Sequence, residues 1–96
     1  MSRSASRHME AVAGLPCVIC LYCVGEKRFG VQVHHVGDAH ERDDWAVAPL
    51  CPEHHQGPTG VHGLHRRGFE RMWKVTDVKL LAWTNAELAK YERLSA

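Results

Sequence analysis

The spacing of hydrophobic and polar positions changes several times along this chain, and each change marks an element. Val31 and Val33 alternate with polar neighbours over residues 31–36, the two-residue period of a short strand. Residues 37–44 are polar and charged and read as a loop. Residues 45–50 (Trp-Ala-Val-Ala-Pro-Leu) are a second short apolar run, so a hairpin is expected. Pro52 suits the first position of a helix, where its missing N–H has no intrahelical partner to lose. Gly-Pro-Thr-Gly at 57–60 interrupts that helix. A helix resumes around Gly63 and runs to Trp73, with Leu64, Phe69, Met72 and Trp73 as its apolar set. Residues 77–83 carry Val78, Leu80, Leu81 and Trp83 and predict another short helix. Thr84-Asn-Ala-Glu87 has the pattern of a capping box, in which hydroxyl and carboxylate satisfy each other's free amides. It predicts a last helix with Leu88, Tyr91 and Leu94 as the buried stripe. Residues 1–14 lack clear periodicity and read as a flexible tail or a weak first helix. Residues 15–96 read as one domain of the α+β class.

Length alters the picture. A chain of 96 residues buries only about 60–65% of its unfolded surface, so its core is marginal without a disulfide, a metal or a partner. Hydrophobic residues at 45% and charged residues at 24% argue against wholesale disorder. No apolar run is long enough for a transmembrane helix, and the first residues lack the apolar centre of a signal peptide, so a cytoplasmic protein without membrane contact is expected. A net charge of +1 removes any global basic field, so a nucleic-acid signal must be local.

Histidine is the anomaly. Of eight, seven lie between His34 and His65, and the four cysteines (Cys17, Cys20, Cys23, Cys51) fall in or just before that stretch. Cysteines mixed with histidines, without an export signal, indicate metal binding rather than disulfides. Cys17-x-x-Cys20 and Cys51-x-x-His54 are two chelating pairs, thirty residues apart, that together complete a tetrahedral structural zinc site. Cys20-x-x-Cys23 has the same spacing and leaves Cys23 as an alternative to Cys17. Such a zinc would supply the stability that the small core lacks. His34 and His35, as strand neighbours, face opposite ways, so one can bind a metal while the other activates water. His55 points about 100° away from His54 on a helix and can serve a second metal. His62, past the Gly-Pro-Thr-Gly segment, can return to the same face, and His65 is an alternative to it.

Taken together, Cys17-x-x-Cys20, Val33-His34-His35-Val36, Pro49-Leu50-Cys51-x-x-His54-His55 and Val61-His62-Gly63 resemble an HNH endonuclease. The resemblance is greatest to the phage nucleases of the Ref (recombination enhancement function) type, and it covers roughly residues 15–75. It implies a ββα-metal core, with extra helices C-terminal to it. It makes His34, His55 and His62 the ligands of a catalytic divalent cation and His35 the general base. It makes Cys17, Cys20, Cys51 and His54 the structural zinc knuckle. The middle Asn of the motif is absent, and Asp44 occupies the equivalent position; the bland reading of Asp44 is a solvated loop acid beside Asp43. The implied activity is metal-dependent cleavage or nicking of single- or double-stranded DNA. The implied setting is a phage-infected bacterial host and recombination, with a recombinase–DNA filament as a possible partner.

Imidazole is a suitable base near neutral pH, and a divalent cation supplies Lewis acidity at the scissile phosphate. Three nitrogen ligands leave room for Zn, Ni, Mn or Co, and Mg²⁺ can enter when phosphate oxygens help. Lys27, Arg28, Arg66 and Arg67, with Arg71 and Lys74, are the candidate phosphate contacts. The competing reading is a noncatalytic zinc module that binds DNA or protein. It has no use for His34, His35, His55 and His62.

Overall fold

The computed structural model describes residues 2–95, with side chains for all but residues 39 and 92–95. The first element is a helix. Arg3–Ala13 form α1, opened by Ser2, whose Oγ accepts from the Ala5 amide at 3.0 Å, and closed at Gly14. Of the two alternatives for this segment, tail or weak helix, the helix is the one observed. Its buried residues are Ala5 and Val12, and it packs on both strands of the hairpin and on the last helix. Ala5, Met9 and Val12 recur at i, i+4 and i+7, so the amphipathic period of this helix is present in the sequence.

The chain then dips into the core at Leu15 and Pro16 and makes a tight turn from Cys17 to Cys20. A π-helical turn, Cys20–Val24, ends at Gly25, whose φ of +86° suits glycine and whose N–H bonds the Cys20 carbonyl. The Cys17 amide donates to the Arg28 carbonyl at 2.9 Å and ties the returning chain to the turn.

Gln32–His35 (β1) and Val47–Leu50 (β2) pair antiparallel, with His34 opposite Ala48 and His35 opposite Val47. The expected hairpin is present. Its buried side differs from the simple reading of Val31 and Val33. His34 is the buried residue of β1, while Val33 is half-buried, because β1 lies across the histidine-lined cleft described below. Every residue of β2 is buried, so it is the central layer between α1 and the last helix.

Pro52–Gln56 form α2, with Pro52 in the first turn as its ring geometry favours. Gly60 follows because a Cβ there would lie 2.5 Å from the Glu53 carbonyl oxygen. Val61–Trp73 form α3, which is interrupted at His65 (φ 62°, ψ 165°). Phe69 is its buried anchor, Leu64 and Trp73 pack at the core's edge, and Met72, expected inside, is exposed. Trp73 Nε1–H donates to the Thr59 carbonyl at 2.9 Å and pins the α2–α3 connection.

The largest difference from the sequence reading lies at the C-terminus. Two helices with a capping box at Thr84 are expected; one helix, α4, runs through Asp77–Ser95. Thr84 is buried inside it, and its hydroxyl donates to the Leu80 carbonyl one turn back at 2.7 Å. Glu87 is likewise buried, and accepts from Tyr22 Oη–H at 2.6 Å and Lys90 Nζ at 2.8 Å. The two side chains that would close a capping box are engaged elsewhere. Tyr91 is exposed rather than part of a buried stripe, Leu88 is half-buried, and the Leu94 side chain lies outside those described.

The core gathers Ile19, Val18, Leu50, Phe69, Val75 and Leu80. Each large aliphatic among them contributes on the order of 1.5–3 kcal/mol of transfer free energy. The fold is a mixed α+β one. Among the described residues, no helix is long and apolar enough to cross a membrane.

Candidate metal centres

Two groups of ligand atoms converge on α2 from opposite sides. The first joins Cys17 and Cys20 of the N-terminal turn to Cys51 and His54 at the start of α2, all four buried. Cys20 Sγ lies 3.8 Å from Cys51 Sγ, and His54 Nδ1 lies 3.7, 3.4 and 3.3 Å from Cys17, Cys20 and Cys51 Sγ. A zinc ion with bonds of about 2.3 Å to sulfur and 2.0–2.1 Å to nitrogen spaces tetrahedral ligands about 3.8 Å (S–S) and 3.5 Å (S–N) apart. The cluster is compatible with a structural zinc on distances alone. Donor chemistry agrees. Burial, with neighbouring thiols adding to it, pushes the Cys20 thiol up to about 12, and burial raises Cys17 as well. Packed thiols of this kind ionise only beside a cation, which a zinc ion supplies. The His54 ring meets the edge of Trp73, the centroids 4.9 Å apart, which fixes its orientation. Cys23 is exposed and stands outside the cluster, so Cys17 is the cysteine that joins Cys20.

The second group is His34 of β1, His55 of α2 and His62 of α3, one nitrogen of each lying within 4.8 Å of the others. His62 Nε2 is 3.1 Å from His55 Nε2. Nitrogens bound about 2.1 Å from one ion stand about 3.0–3.4 Å apart for octahedral to tetrahedral angles. His55 Nδ1 lies 2.7 Å from Gln32 Oε1. A carbonyl oxygen only accepts, so Nδ1 carries the proton and Nε2 presents its lone pair toward His62 and His34. Burial, reinforced by the His55, His62 and His35 imidazoles, lowers the pKa of His34 to about 4. Burial and then His62 lower that of His55. Both rings are therefore neutral at pH 7, the form that ligates a metal. These residues fit a divalent cation with coordination positions left over, because His62 is exposed and the group opens into a cleft of about 690 Å³.

His35 stands next to this group. Its Nε2 is 2.9 Å from Asp44 Oδ1, and since the carboxylate only accepts, Nε2 donates. Nδ1 is left with the lone pair. Asp44 is therefore a bonded partner of His35 rather than a free loop acid. The cleft is walled by β1, the 37–42 loop and α3, and includes His35, Arg42, His65 and Arg66.

No family model matches this chain. No curated protein is similar to it at a significant level either. The functional reading rests on the residues themselves.

The expected phosphate contacts separate in space. Arg66 lines the cleft, where its Nη1 is 2.8 Å from Asp38 Oδ1 and 3.6 Å from Asp77 Oδ2. Burial raises the pKa of Asp77, with Arg66 opposing that rise. Arg67, Arg71 and Lys74 share a different hollow along α3. Lys27 lies in a third hollow beside Tyr22, Glu87 and Lys90, away from the histidines. Arg28 is the residue whose carbonyl ties the Cys17 turn, and it lines none of the three hollows. His65 lines the cleft without joining the His34 group, which leaves His62 as the third ligand. Sequence reasoning missed Gln32 and Arg42. Gln32 was within reach: two residues before His34 on a strand, it shares the face of a proposed ligand. Arg42 carries no periodic signal, because it sits in the loop.

Proposed function

We propose that this chain is a metal-dependent DNA endonuclease or nickase with a ββα-metal core of the HNH type, akin to the phage Ref-type nucleases. One observation carries the reading. The first strand of the hairpin, the short helix after it and the start of α3 bring His34, His55 and His62 to one point, with a fourth, carboxylate-bonded histidine beside them. A zinc module needs the Cys17–Cys20–Cys51–His54 group and nothing more.

Phosphodiester hydrolysis requires an activated water and relief of charge at the phosphate and the leaving oxygen. His34, His55 and His62 would hold a divalent cation, which would supply Lewis acidity at the scissile phosphate. His35 takes the proton from the attacking water at Nδ1, while Asp44 holds the ring by Nε2 and stabilises the imidazolium that forms. Asp44 thereby fills the role left open by the missing Asn. Arg66 and Arg42 line the cleft where a phosphate would sit. Cys17, Cys20, Cys51 and His54 would bind a zinc ion that ties down the start of α2 and with it His55.

The test is cleavage of supercoiled plasmid and of single-stranded DNA by wild type and His35→Ala, with Mg²⁺, with Mn²⁺ and with chelator. Wild type nicks only with metal, and the variant loses at least about 10²-fold in rate with unchanged melting and zinc content. Full cleavage by His35→Ala sinks the base assignment. No cleavage by wild type under any of these conditions returns the chain to the zinc-module reading.

A further inference from the structure

An acidic loop contributes to the histidine cleft, and a basic hollow lies next to the cleft along the chain. The 38–44 loop carries four carboxylates (Asp38, Glu41, Asp43, Asp44) against a single arginine, Arg42. Arg67 and Arg71 stand one turn apart on α3, Lys74 caps its C-terminus, and all three line one hollow. All three are exposed, and among the described residues none has an ion-pair partner. Arg66 differs: Asp38 and Asp77 already answer its charge. The histidine cleft and the Arg67–Arg71–Lys74 hollow meet along one ridge. Arg66 and Asp77 line the first, and their chain neighbours Arg67 and Thr76 line the second.

We infer that one nucleic-acid strand leaves the histidine cleft over this ridge and runs along α3, its phosphates on Arg67, Arg71 and Lys74. The inference rests on the nuclease reading and adds a direction to it. A polyanion in the cleft is turned away from the carboxylates of the loop and toward Arg67, Arg71 and Lys74, which outnumber the one carboxylate of their hollow, Glu70. Successive members of the run stand about one helical turn apart, some 5 Å along the axis, so the stripe lies along a backbone rather than gripping one phosphate. Lys27, in a separate hollow with Glu87, takes no part.

Binding of a fluorescently labelled single-stranded oligonucleotide to the zinc-loaded protein, without added catalytic metal, tests this apart from cleavage. Affinity is followed from about 50 to 200 mM salt for wild type, Lys27→Gln and the Arg67→Gln/Arg71→Gln/Lys74→Gln variant. Each phosphate contact on a single strand contributes about 0.7 to the log–log salt slope, so the triple variant flattens it by about 2. Lys27→Gln keeps the wild-type slope. An unchanged slope in a normally melting triple variant overturns the path and leaves the nuclease reading standing. Failure of wild type to bind DNA at low salt overturns the nuclease reading itself. Should the triple variant melt early, the three single substitutions, each expected to flatten the slope by about 0.7, decide the question.

Discussion

His54 and His55 are neighbours on one short helix and serve opposite kinds of pocket. His54 faces three buried cysteines, in a group whose donor set is complete at four and leaves no position for substrate. His55 faces two more histidines, one buried and one exposed, at the mouth of a cleft. The sulfur-rich, closed group has the chemistry of a permanent, structural ion. The nitrogen-only, open group has the chemistry of an exchangeable one with room for a second ligand. A helix of five residues, Pro52–Gln56, is enough to join them, because adjacent positions on it point about 100° apart. Stability and chemistry are thus separated by one peptide bond, and substitutions on the two sides have different consequences.

The largest effect belongs to the closed group. Cys51→Ser removes one of the four donors, at the junction of strand β2 and helix α2, and leaves an incomplete donor set for zinc. Structural zinc contributes on the order of 10–16 kcal/mol to the folding of zinc-finger peptides, more than a domain of this size holds in reserve. Cys51→Ser is expected to lose its cooperative thermal transition and its tightly held zinc together, as read by circular dichroism and metal analysis. A variant that melts like wild type would show that the core stands without the ion.

The open group should behave in the contrary way. His62 is exposed, so His62→Ala shifts the stability of the domain by less than about 0.5 kcal/mol. The zinc-loaded variant should nevertheless lose the binding heat of a second divalent ion in a calorimetric titration with Mn²⁺. Retention of that heat would place the second ion elsewhere. Loss of the tight zinc along with it would mean that the two groups are one coupled site.

How much of this contrast was legible follows from which residues carry it. Both ligand sets are written as spacings: Cys-x-x-Cys, Cys-x-x-His, a His-His pair on a strand, and His55 with His62 across a glycine-rich link. The hairpin follows from two short apolar runs and the start of α2 from Pro52. What was not legible are cases where tertiary contacts override a local signal. Thr84 and Glu87 have the spacing of a cap, yet Tyr22 and Lys90 claim the carboxylate and the Leu80 carbonyl claims the hydroxyl, so α4 continues. Helix α1 carries a helical period at Ala5, Met9 and Val12, which the Ser- and Arg-rich composition around it masks. The partition of the basic residues among three hollows depends on how α3 and α4 are each placed against the rest of the fold, which no spacing encodes.

Gln32 offers a finer probe of the same contrast. Its carbonyl fixes the tautomer of His55 from outside the ligand set. Gln32→Leu keeps the volume and removes the acceptor, and partners of this kind are worth about 10–100-fold in metal affinity. Mn²⁺ affinity at the open group should fall by that factor, while the tight zinc and the melting transition stay where they are. An unchanged Mn²⁺ affinity would mean that His55 does not need the hydrogen bond to present Nε2.

The smallest expected effect concerns strain. The positive-φ residues Gly25, Gly30 and Gly37 are glycines, which adopt such angles without a Cβ clash. Beside the open cleft stands His65, at φ 62° and ψ 165°, a region that is nearly glycine-only. Holding a histidine there costs about 1–3 kcal/mol, and it interrupts α3 between the ligand His62 and the cleft arginine Arg66. His65→Gly removes the clash and gives back about 0.5–1 kcal/mol through the greater freedom of the unfolded chain. The net expectation is a gain of roughly 1 kcal/mol in chemical denaturation, with Mn²⁺ affinity at the open group unchanged because His65 is not a ligand. A loss of about 1 kcal/mol, the ordinary outcome of placing glycine in a helix, would show that His65 is not strained. A gain in stability accompanied by slower DNA cleavage would show instead that the break in α3 is kept for the position it gives Arg66.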